Sequence, residues 1–155
     1  MKDGSLEENK HKNRVPDVIP GESDRPYLST QAVGCNNYIN AVYVDSFRKH
    51  NCYIVTQMPL PETQVDLWRL VYDHHIKYII MLNELDVLDE NKGQLSSPGP
   101  VNVRHLQLLN WPNKDVFPPD NTSFLSLLEE IHNWQEQQKD SQNPKINDKM
   151  IIHCM

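Results

Sequence analysis

The sequence predicts a layered α/β fold, in which helices pack against the faces of a sheet. Short segments rich in β-branched and aromatic residues alternate along the chain with two segments of helical periodicity. The chain has 155 residues, which is the length of one domain and is enough to bury a core. No internal repeat interrupts this alternation, so a single layered domain is expected.

Five segments are predicted to be strands. Residues 38–44 (YINAVYV) and 52–56 (CYIVT) are rich in residues that favour strands, and the polar sequence RKHN between them indicates a hairpin. Short apolar segments predict three further strands, at 78–82, 101–108 and 149–153.

Two helices are predicted, at 63–76 and 122–137. In the first, Thr63 followed by Asp66 fits a capping box at the start of an apolar stripe. The second has the clearest helical spacing of apolar residues in the chain. Those residues are Phe124, Leu127, Leu128, Ile131 and Trp134.

The remaining segments are polar and predict surface structure. Residues 1–14 are expected to form a solvated arm, and the three prolines of 15–30 indicate an extended surface segment. Residues 86–98 are predicted to be a loop, and 140–148 a linker.

Composition excludes several classes of function. The chain has 15 basic and 21 acidic residues, and the net charge of −6 argues against nucleic-acid binding. The longest apolar run, Ile79 to Leu82, is too short for membrane insertion or a secretory signal. The cysteines are odd in number and form no CxxC pair, which indicates reduced thiols. His74 and His75 are adjacent and diverge on a helix, so we expect no metal ion and no cofactor.

Cys154 directly follows the predicted strand 149–153. The carboxyl ends of buried strands face open crevices. A cysteine there becomes a nucleophile when backbone N–H groups and a helix N-terminus lower its pKa. Spacing alone leaves open the simpler interpretation that Cys154 is the last apolar residue of a strand.

Five motifs stand out along the chain: NRVPDVIP at 13–20, NNYINA at 36–41, YIVTQMPLPETQVDLWRLV at 53–71, LLNWPN at 108–113 and IIHC at 151–154. In this order they resemble the classical protein tyrosine phosphatases. The resemblance covers residues 13–154, and the long third motif is the most specific. It implies a polar arm at 1–12, a phosphatase domain at 13–155, and the family's twisted mixed sheet flanked by helices.

Two further segments refine the resemblance. NWPNKDVFPP and SFLSLLEEIHNWQEQ are most similar to the membrane-distal second domain of receptor-type enzymes. Because receptor-type phosphatase domains lie inside the cell, the resemblance implies a cytoplasmic location, as the intracellular part of a membrane receptor. Such second domains are commonly inactive or weakly active.

The family's reaction is attack of a cysteine thiolate on phosphotyrosine, followed by hydrolysis of the cysteinyl phosphate. Donors must hold the phosphate oxygens, and a general acid must protonate the leaving tyrosyl oxygen. The resemblance assigns Cys154 to the nucleophile position and Asn113 to the general-acid position. It assigns substrate binding to Asp17, to Val15 at the ring-packing position, and to Trp111 in the mobile general-acid loop.

This sequence departs from the family at several of these positions. The amide of Asn113 cannot deliver a proton, and the loss of a general acid costs about 10²–10⁴ in rate. Val15 stands where the family has a tyrosine. The stretch between Leu82 and Val101 is shorter than in the family, and the sequence given ends at Met155, before the glycine-rich loop and its arginine. We therefore expect an incomplete phosphatase fold, lacking its C-terminal half and inactive as this chain stands.

Two alternatives remain open at this point. The chain is a non-catalytic binding module that docks on another phosphatase domain or on a phosphotyrosine protein, or it is an active phosphatase by itself. A cooperative melt and a turnover assay distinguish these alternatives from the inactive-fragment hypothesis.

Overall fold

The computed structural model describes residues 3–83, 102–109, 111, 121–140 and 149–154. The predicted loop at 86–98 and residues 141–148 of the predicted linker lie outside these ranges. Within them, helices flank both faces of a five-stranded sheet. None of the helices described combines the length and apolar character needed to cross a bilayer.

The strands are β1 (Ala41–Val44), β2 (Tyr53–Gln57), β3 (Tyr78–Met81), β4 (Arg104–Gln107) and β5 (Met150–Cys154). The helices are α1 (Glu7–Lys10), α2 (Gln64–Asp73) and α3 (Thr122–Asp140), with 3-10 turns at Asp3–Ser5 and Pro61–Thr63. All five predicted strands and both predicted helices are confirmed, with boundaries that differ by a few residues.

The sheet has the strand order β1-β2-β5-β3-β4. β1 and β2 pair antiparallel, whereas β5 lies parallel to β2 and to β3, and β3 lies parallel to β4. The sheet is therefore mixed, as the resemblance implied, and β5 is its central strand. β1 begins three residues later than predicted because the N–H of Tyr38 bonds to the side chain of Asn36 rather than to a neighbouring strand.

Each face of the sheet packs against one helix. On the first face, Ile54, Ile79 and Ile151 are buried under α2. On the second face, the buried residues of β3 and β5 lie under α3, where the ring of Trp134 packs 4.2 Å from that of Tyr78, centroid to centroid. The helical stripe predicted at 122–137 is thus confirmed as a packing face at Phe124, Leu127, Ile131 and Trp134, and is wrong at Leu128, which is exposed.

Helix α3 covers the β3–β4 side of the second face and leaves its β1–β2 side open. Val44 is 39% exposed and Val55 is 36% exposed. On α3 itself, Leu128 is 44% exposed, whereas Leu127 is buried at 9%. The sequence predicts partly exposed apolar surface on the strand face and on Phe124, Leu127, Leu128 and Ile131. This prediction is confirmed for Val44 and Val55 on the strands, for Leu128, and for Phe124 and Ile131, which are half-buried; it is wrong for Leu127.

The predicted capping box at Thr63 and Asp66 is wrong. The hydroxyl of Thr63 accepts the N–H of Leu60 at 2.9 Å and donates to the Leu60 carbonyl, which closes the 3-10 turn before α2. The carboxylate of Asp66 turns inward and accepts hydrogen bonds from two buried cations, Lys12 and Arg69. These charged partners attract the carboxylate more strongly than a backbone N–H does.

The Asp66 carboxylate, 1% exposed, binds Lys12 Nζ at 2.9 Å and Arg69 Nη1 at 2.7 Å. Lys12 also donates to Asn36 Oδ1, and Arg69 donates to the carbonyls of Asn36 and Thr30. The buried ion cluster, as we call Lys12, Asp66 and Arg69, joins the N-terminal segment to α2. The expectation that residues 1–14 are solvated is wrong at Lys12, which is buried.

We expect Asp66→Asn to lower the free energy of unfolding by about 3–5 kcal/mol, because it leaves two buried cations without their counter-charge. Urea unfolding followed by circular dichroism measures the change. The matched control is Glu7→Gln, which breaks the exposed ion pair with Lys10 and should leave the urea midpoint unchanged. Equal effects of the two substitutions would contradict this assignment.

Candidate active site

Cys154 lies at the carboxyl end of the central strand, where its thiol is free and its side chain exposed. A groove of about 400 Å³ opens beside it. Arg14, Val15 and Val18 form one side of this groove. The other side is formed by Val42, Val55 and Gln57. The nucleophile candidate therefore opens into a largely apolar groove.

Both neighbouring strands fix the backbone of Cys154. In the parallel pairing with β2, Cys154 is opposite Gln57, and its carbonyl accepts the N–H of Met58 at 2.6 Å. On the other side, the carbonyl of His153 accepts the N–H of Leu82 at 3.0 Å. The position of the thiol is consequently set by the sheet and not by a loop.

Gln57 anchors the N-terminal wall of the groove. Its side-chain oxygen accepts the backbone N–H of Arg14 at 2.8 Å, and its nitrogen donates to the carbonyl of Lys12 at 2.7 Å. The guanidinium of Arg14 donates to the carbonyls of Met58 and Pro59. Sequence reasoning missed both Gln57 and Arg14 as positioning residues, although they lie inside two of the motifs it quoted.

The structure brings together some of the predicted site residues. Val15, which is 49% exposed, lines the same groove as Cys154. Asp17 is exposed and lies in the wall segment between groove-lining residues, without lining the groove itself. Trp111 packs edge-on against Phe124 of α3, with ring centroids 6.1 Å apart, in the second core. Asn113 lies outside the described residues.

His153 points to the opposite face of the sheet from Cys154, because successive strand residues alternate. Its ring is 2% exposed, and neither nitrogen has a hydrogen-bond partner within the described part of the chain. Burial, with a smaller contribution from the nearby ring of His105, lowers the pKa of His153 to about 4. The residue beside the thiol is therefore a neutral imidazole at pH 7, which sequence reasoning missed.

We expect the depressed pKa of His153 to make the protein lose stability in acid. Between pH 6.5 and about 4, the unfolded chain binds a proton at this histidine that the folded chain does not. Above pH 6.5 this histidine therefore does not lower the free energy of unfolding. As the pH drops from 6.5 to 4, its contribution lowers the free energy of unfolding by up to about 3 kcal/mol. Urea unfolding at pH 7.5, 5.5 and 4.5 measures the decline.

Two variants isolate this contribution to the pH dependence. His153→Leu removes the buried titrating group, so the loss of stability between pH 7.5 and 4.5 should become smaller. His50→Gln removes a histidine whose side chain is 94% exposed and should keep the wild-type decline. A wild-type decline in His153→Leu would show that other groups cause the acid sensitivity.

Comparison with known proteins identifies the family. The protein-tyrosine phosphatase family profile matches residues 9–96, more than half of the chain. The chain is 41% identical to chicken receptor-type tyrosine-protein phosphatase S over 187 residues, covering 97% of this chain and 12% of that protein. It is 30% identical to chicken receptor-type tyrosine-protein phosphatase U over 190 residues, covering 97% and 13%. The chain belongs to the protein-tyrosine phosphatase family.

Solved structures give the same fold. The catalytic domain of human protein tyrosine phosphatase non-receptor type 18 superposes with a TM-score of 0.78 at 25% identity, covering 97% of this chain and 64% of that one. A complex of PTPN18 with HER2 phosphopeptides gives 0.75 at 25% identity, covering 98% and 62%. The predicted phosphatase fold is confirmed, and the chain spans under two thirds of these two neighbours.

The chain also spans only about an eighth of the two receptor-type relatives. Both alignments, at 190 and 187 residues, are longer than the 155-residue chain itself, so the relatives contain segments that this chain lacks.

Proposed function

We propose that this chain forms part of a domain that acts on phosphotyrosine proteins, with Cys154 as the nucleophile position. The observation that supports it is the placement of Cys154, exposed at the end of the central strand and on the wall of a groove. In the family's reaction the thiolate forms a bond to phosphorus as the bond to the tyrosyl oxygen breaks, and water then hydrolyses the cysteinyl phosphate.

The groove has the shape and lining that a phosphotyrosine ring requires. Its volume of about 400 Å³ accommodates an aromatic ring, and the valines along it provide apolar contact. Val15 packs on the ring with less area than an aromatic side chain would. Asp17, exposed beside the groove, accepts a hydrogen bond from a substrate N–H, and the resemblance places Trp111 in the family's general-acid segment.

The same residues support the proposal that turnover is absent as the chain stands. Asn113 cannot protonate the leaving oxygen, which then departs at a cost of about 10²–10⁴ in rate. Charge stabilisation is the main requirement of phosphoryl transfer. Among the described residues that line the groove, Arg14 is the only cation, and its guanidinium already donates to the carbonyls of Met58 and Pro59. The described part of the groove therefore offers little charge to stabilise a phosphoryl group.

We expect the 155-residue chain to hydrolyse an aryl phosphate no faster than its Cys154→Ser variant. Asn113→Asp alone should change nothing measurable, because a general acid acts only on a phosphate that is already held and attacked. Continuous release of the phenol from an aryl phosphate, with the four combinations of the two substitutions, measures both effects.

The result that contradicts this proposal is turnover in Asn113→Asp that disappears when Cys154→Ser is added. That pattern would show that the groove holds and activates the phosphate without further residues. Turnover in the unmodified chain that disappears in Cys154→Ser would instead show that the chain is an active phosphatase.

A second candidate function is a non-catalytic module that binds a phosphotyrosine protein or another phosphatase domain. Hydrogen bonds of Gln57 and Arg14 hold the wall of the groove, whereas Val15 and Asn113 differ from the family's residues for ring packing and proton donation. The similarity to receptor-type enzymes supports a place in the cytoplasmic part of such a receptor. The segments NWPNKDVFPP and SFLSLLEEIHNWQEQ support its second, membrane-distal domain. The HER2 phosphopeptides bound to the structural neighbour PTPN18 support a phosphotyrosine partner.

For the binding module we expect a cooperative thermal melt and a preference for a phosphotyrosine peptide over its unphosphorylated form. Circular dichroism measures the melt, and fluorescence anisotropy of a labelled peptide measures binding. Val15→Asp should weaken phosphopeptide binding, because it places a carboxylate in the groove, while Val33→Asp at a fully exposed position serves as the control. A non-cooperative melt with no preference between the peptides would contradict the module.

A further inference from the structure

The amino-terminal ends of the parallel strands carry positive charge. Strands β2, β5 and β3 are parallel, so their first residues lie side by side, with Met150 between Tyr53 and Tyr78. Lys149 directly precedes β5, and Lys77 directly precedes β3. The turn between β1 and β2 adds two exposed cations at the same end of the sheet. We call these four residues the basic edge: Arg48, Lys49, Lys77 and Lys149.

The cations of the basic edge lie close together. The ammonium of Lys149 lies 5.0 Å from the centroid of the Tyr43 ring, so this side chain reaches across β2 toward the hairpin. Lys77 is exposed on the neighbouring strand. It points to the same side of the sheet as Lys149, because the residues that follow the two lysines pair with each other. The lysines of the two strands and the cations of the turn therefore share one surface.

Few carboxylates in the described part of the chain oppose this charge. Asp45 lies 2.8 Å from a ring nitrogen of His50, in the same turn. Asp73 accepts backbone N–H groups of the segment that leads into β1. Arg104 begins β4 at this end of the sheet and pairs with Glu130 at 2.9 Å, so that pair adds no net charge. The basic edge is thus a positive surface on a chain whose net charge is −6.

Phe47 is fully exposed beside two of these cations, on a turn that its neighbours hold in place. The N–H of Ser46 donates to the carbonyl of Lys49 at 2.9 Å, and the Ser46 hydroxyl accepts the N–H groups of Arg48 and Lys49. An exposed aromatic ring flanked by cations is typical of surfaces that lie in the interface of a membrane. Because the turn is ordered before contact, inserting the ring costs little conformational entropy.

We propose that the basic edge and Phe47 bind the surface of a membrane that contains anionic lipids. The cations contact the charged headgroups, and the ring of Phe47 enters the boundary between headgroups and acyl chains. The chain lies on this surface without spanning it. An acidic protein would account for the cations but not for a fully exposed ring among them, so the lipid surface is the better fit.

The bound orientation keeps the candidate active site open. Cys154 lies at the other end of β5 from Lys149, five residues away, which in a strand is roughly 16 Å. The groove beside Cys154 therefore faces away from the membrane. The acidic remainder of the chain is repelled by anionic lipid, which favours contact through the basic edge. Binding by this edge does not depend on the chemistry of Cys154.

The first test is co-sedimentation of the 155-residue chain with lipid vesicles. We expect binding to vesicles of phosphatidylcholine with phosphatidylserine and none to phosphatidylcholine alone. Lys77→Glu should weaken binding at least about fivefold, because each cation near such a surface contributes about that factor. The matched control is Lys10→Glu, the same charge change at an exposed lysine near Lys12, which contacts the opposite end of β2. It should leave binding nearly unchanged.

The second test follows the ring. The fluorescence emission of Phe47→Trp should shift to shorter wavelength when phosphatidylserine vesicles are added, because the indole leaves water. Leu125→Trp, at an exposed position of α3, is the matched control and should show no such shift. Phe47→Ala should weaken binding while leaving its sensitivity to salt, since the cations remain. Both positions are exposed, so these variants do not disturb folding.

Several results would overturn the proposal. They are no sedimentation with either kind of vesicle, equal sedimentation with both, equal losses in Lys77→Glu and Lys10→Glu, and equal emission shifts at positions 47 and 125. Binding to soluble polyglutamate that is as tight as binding to the vesicles and independent of Phe47 would assign the basic edge to an acidic protein instead.

Discussion

The position of the candidate site depends on the ion pairs of the buried Asp66 carboxylate with Lys12 and Arg69. The carboxylate binds Lys12, which lies two residues before Arg14 in the wall of the groove, and Arg69, which donates to two carbonyls of the segment leading into β1. Segments far apart in sequence thus meet at one carboxylate. A buried ion pair is often a weak source of stability, but a cluster with further hydrogen bonds to the backbone fixes orientation.

A short chain of hydrogen bonds connects this cluster to the wall of the groove. Lys12 accepts a hydrogen bond at its carbonyl from Gln57, and Gln57 accepts the N–H of Arg14. Gln57 lies opposite Cys154 in the sheet, so strand β2 fixes the positions of both the wall and the thiol. Changes at the buried cluster should therefore displace the wall relative to Cys154 without altering any residue of the groove.

Strand alternation divides the end of β5 into two environments. His153 faces the core and stays neutral because burial lowers its pKa, while Cys154 faces the groove and is exposed. A charged imidazole there would carry an uncompensated buried charge, which is costly. The uncharged state lets the strand remain central in the sheet while its last residue remains accessible.

Local patterns predicted the strands and helices well, because β-branched runs and helical spacing reflect burial on one face. These local patterns failed where residues far apart in sequence determine the partner of a side chain. The capping box at Thr63 fits the local pattern, but the partner of Asp66 lies 54 residues away at Lys12. Polar composition likewise predicted a solvated arm, since the sequence of residues 1–14 does not reveal that Lys12 has a buried counter-ion.

The contacts that hold the groove wall do not depend on the side chain at position 15. The backbone at Val15 is held by its neighbour Arg14 through Gln57, Met58 and Pro59, and none of these contacts involves the Val15 side chain. Val15 is half exposed, so its identity affects the groove more than the core. We therefore expect Val15→Tyr to strengthen binding of a phosphotyrosine ring while leaving the free energy of unfolding nearly unchanged.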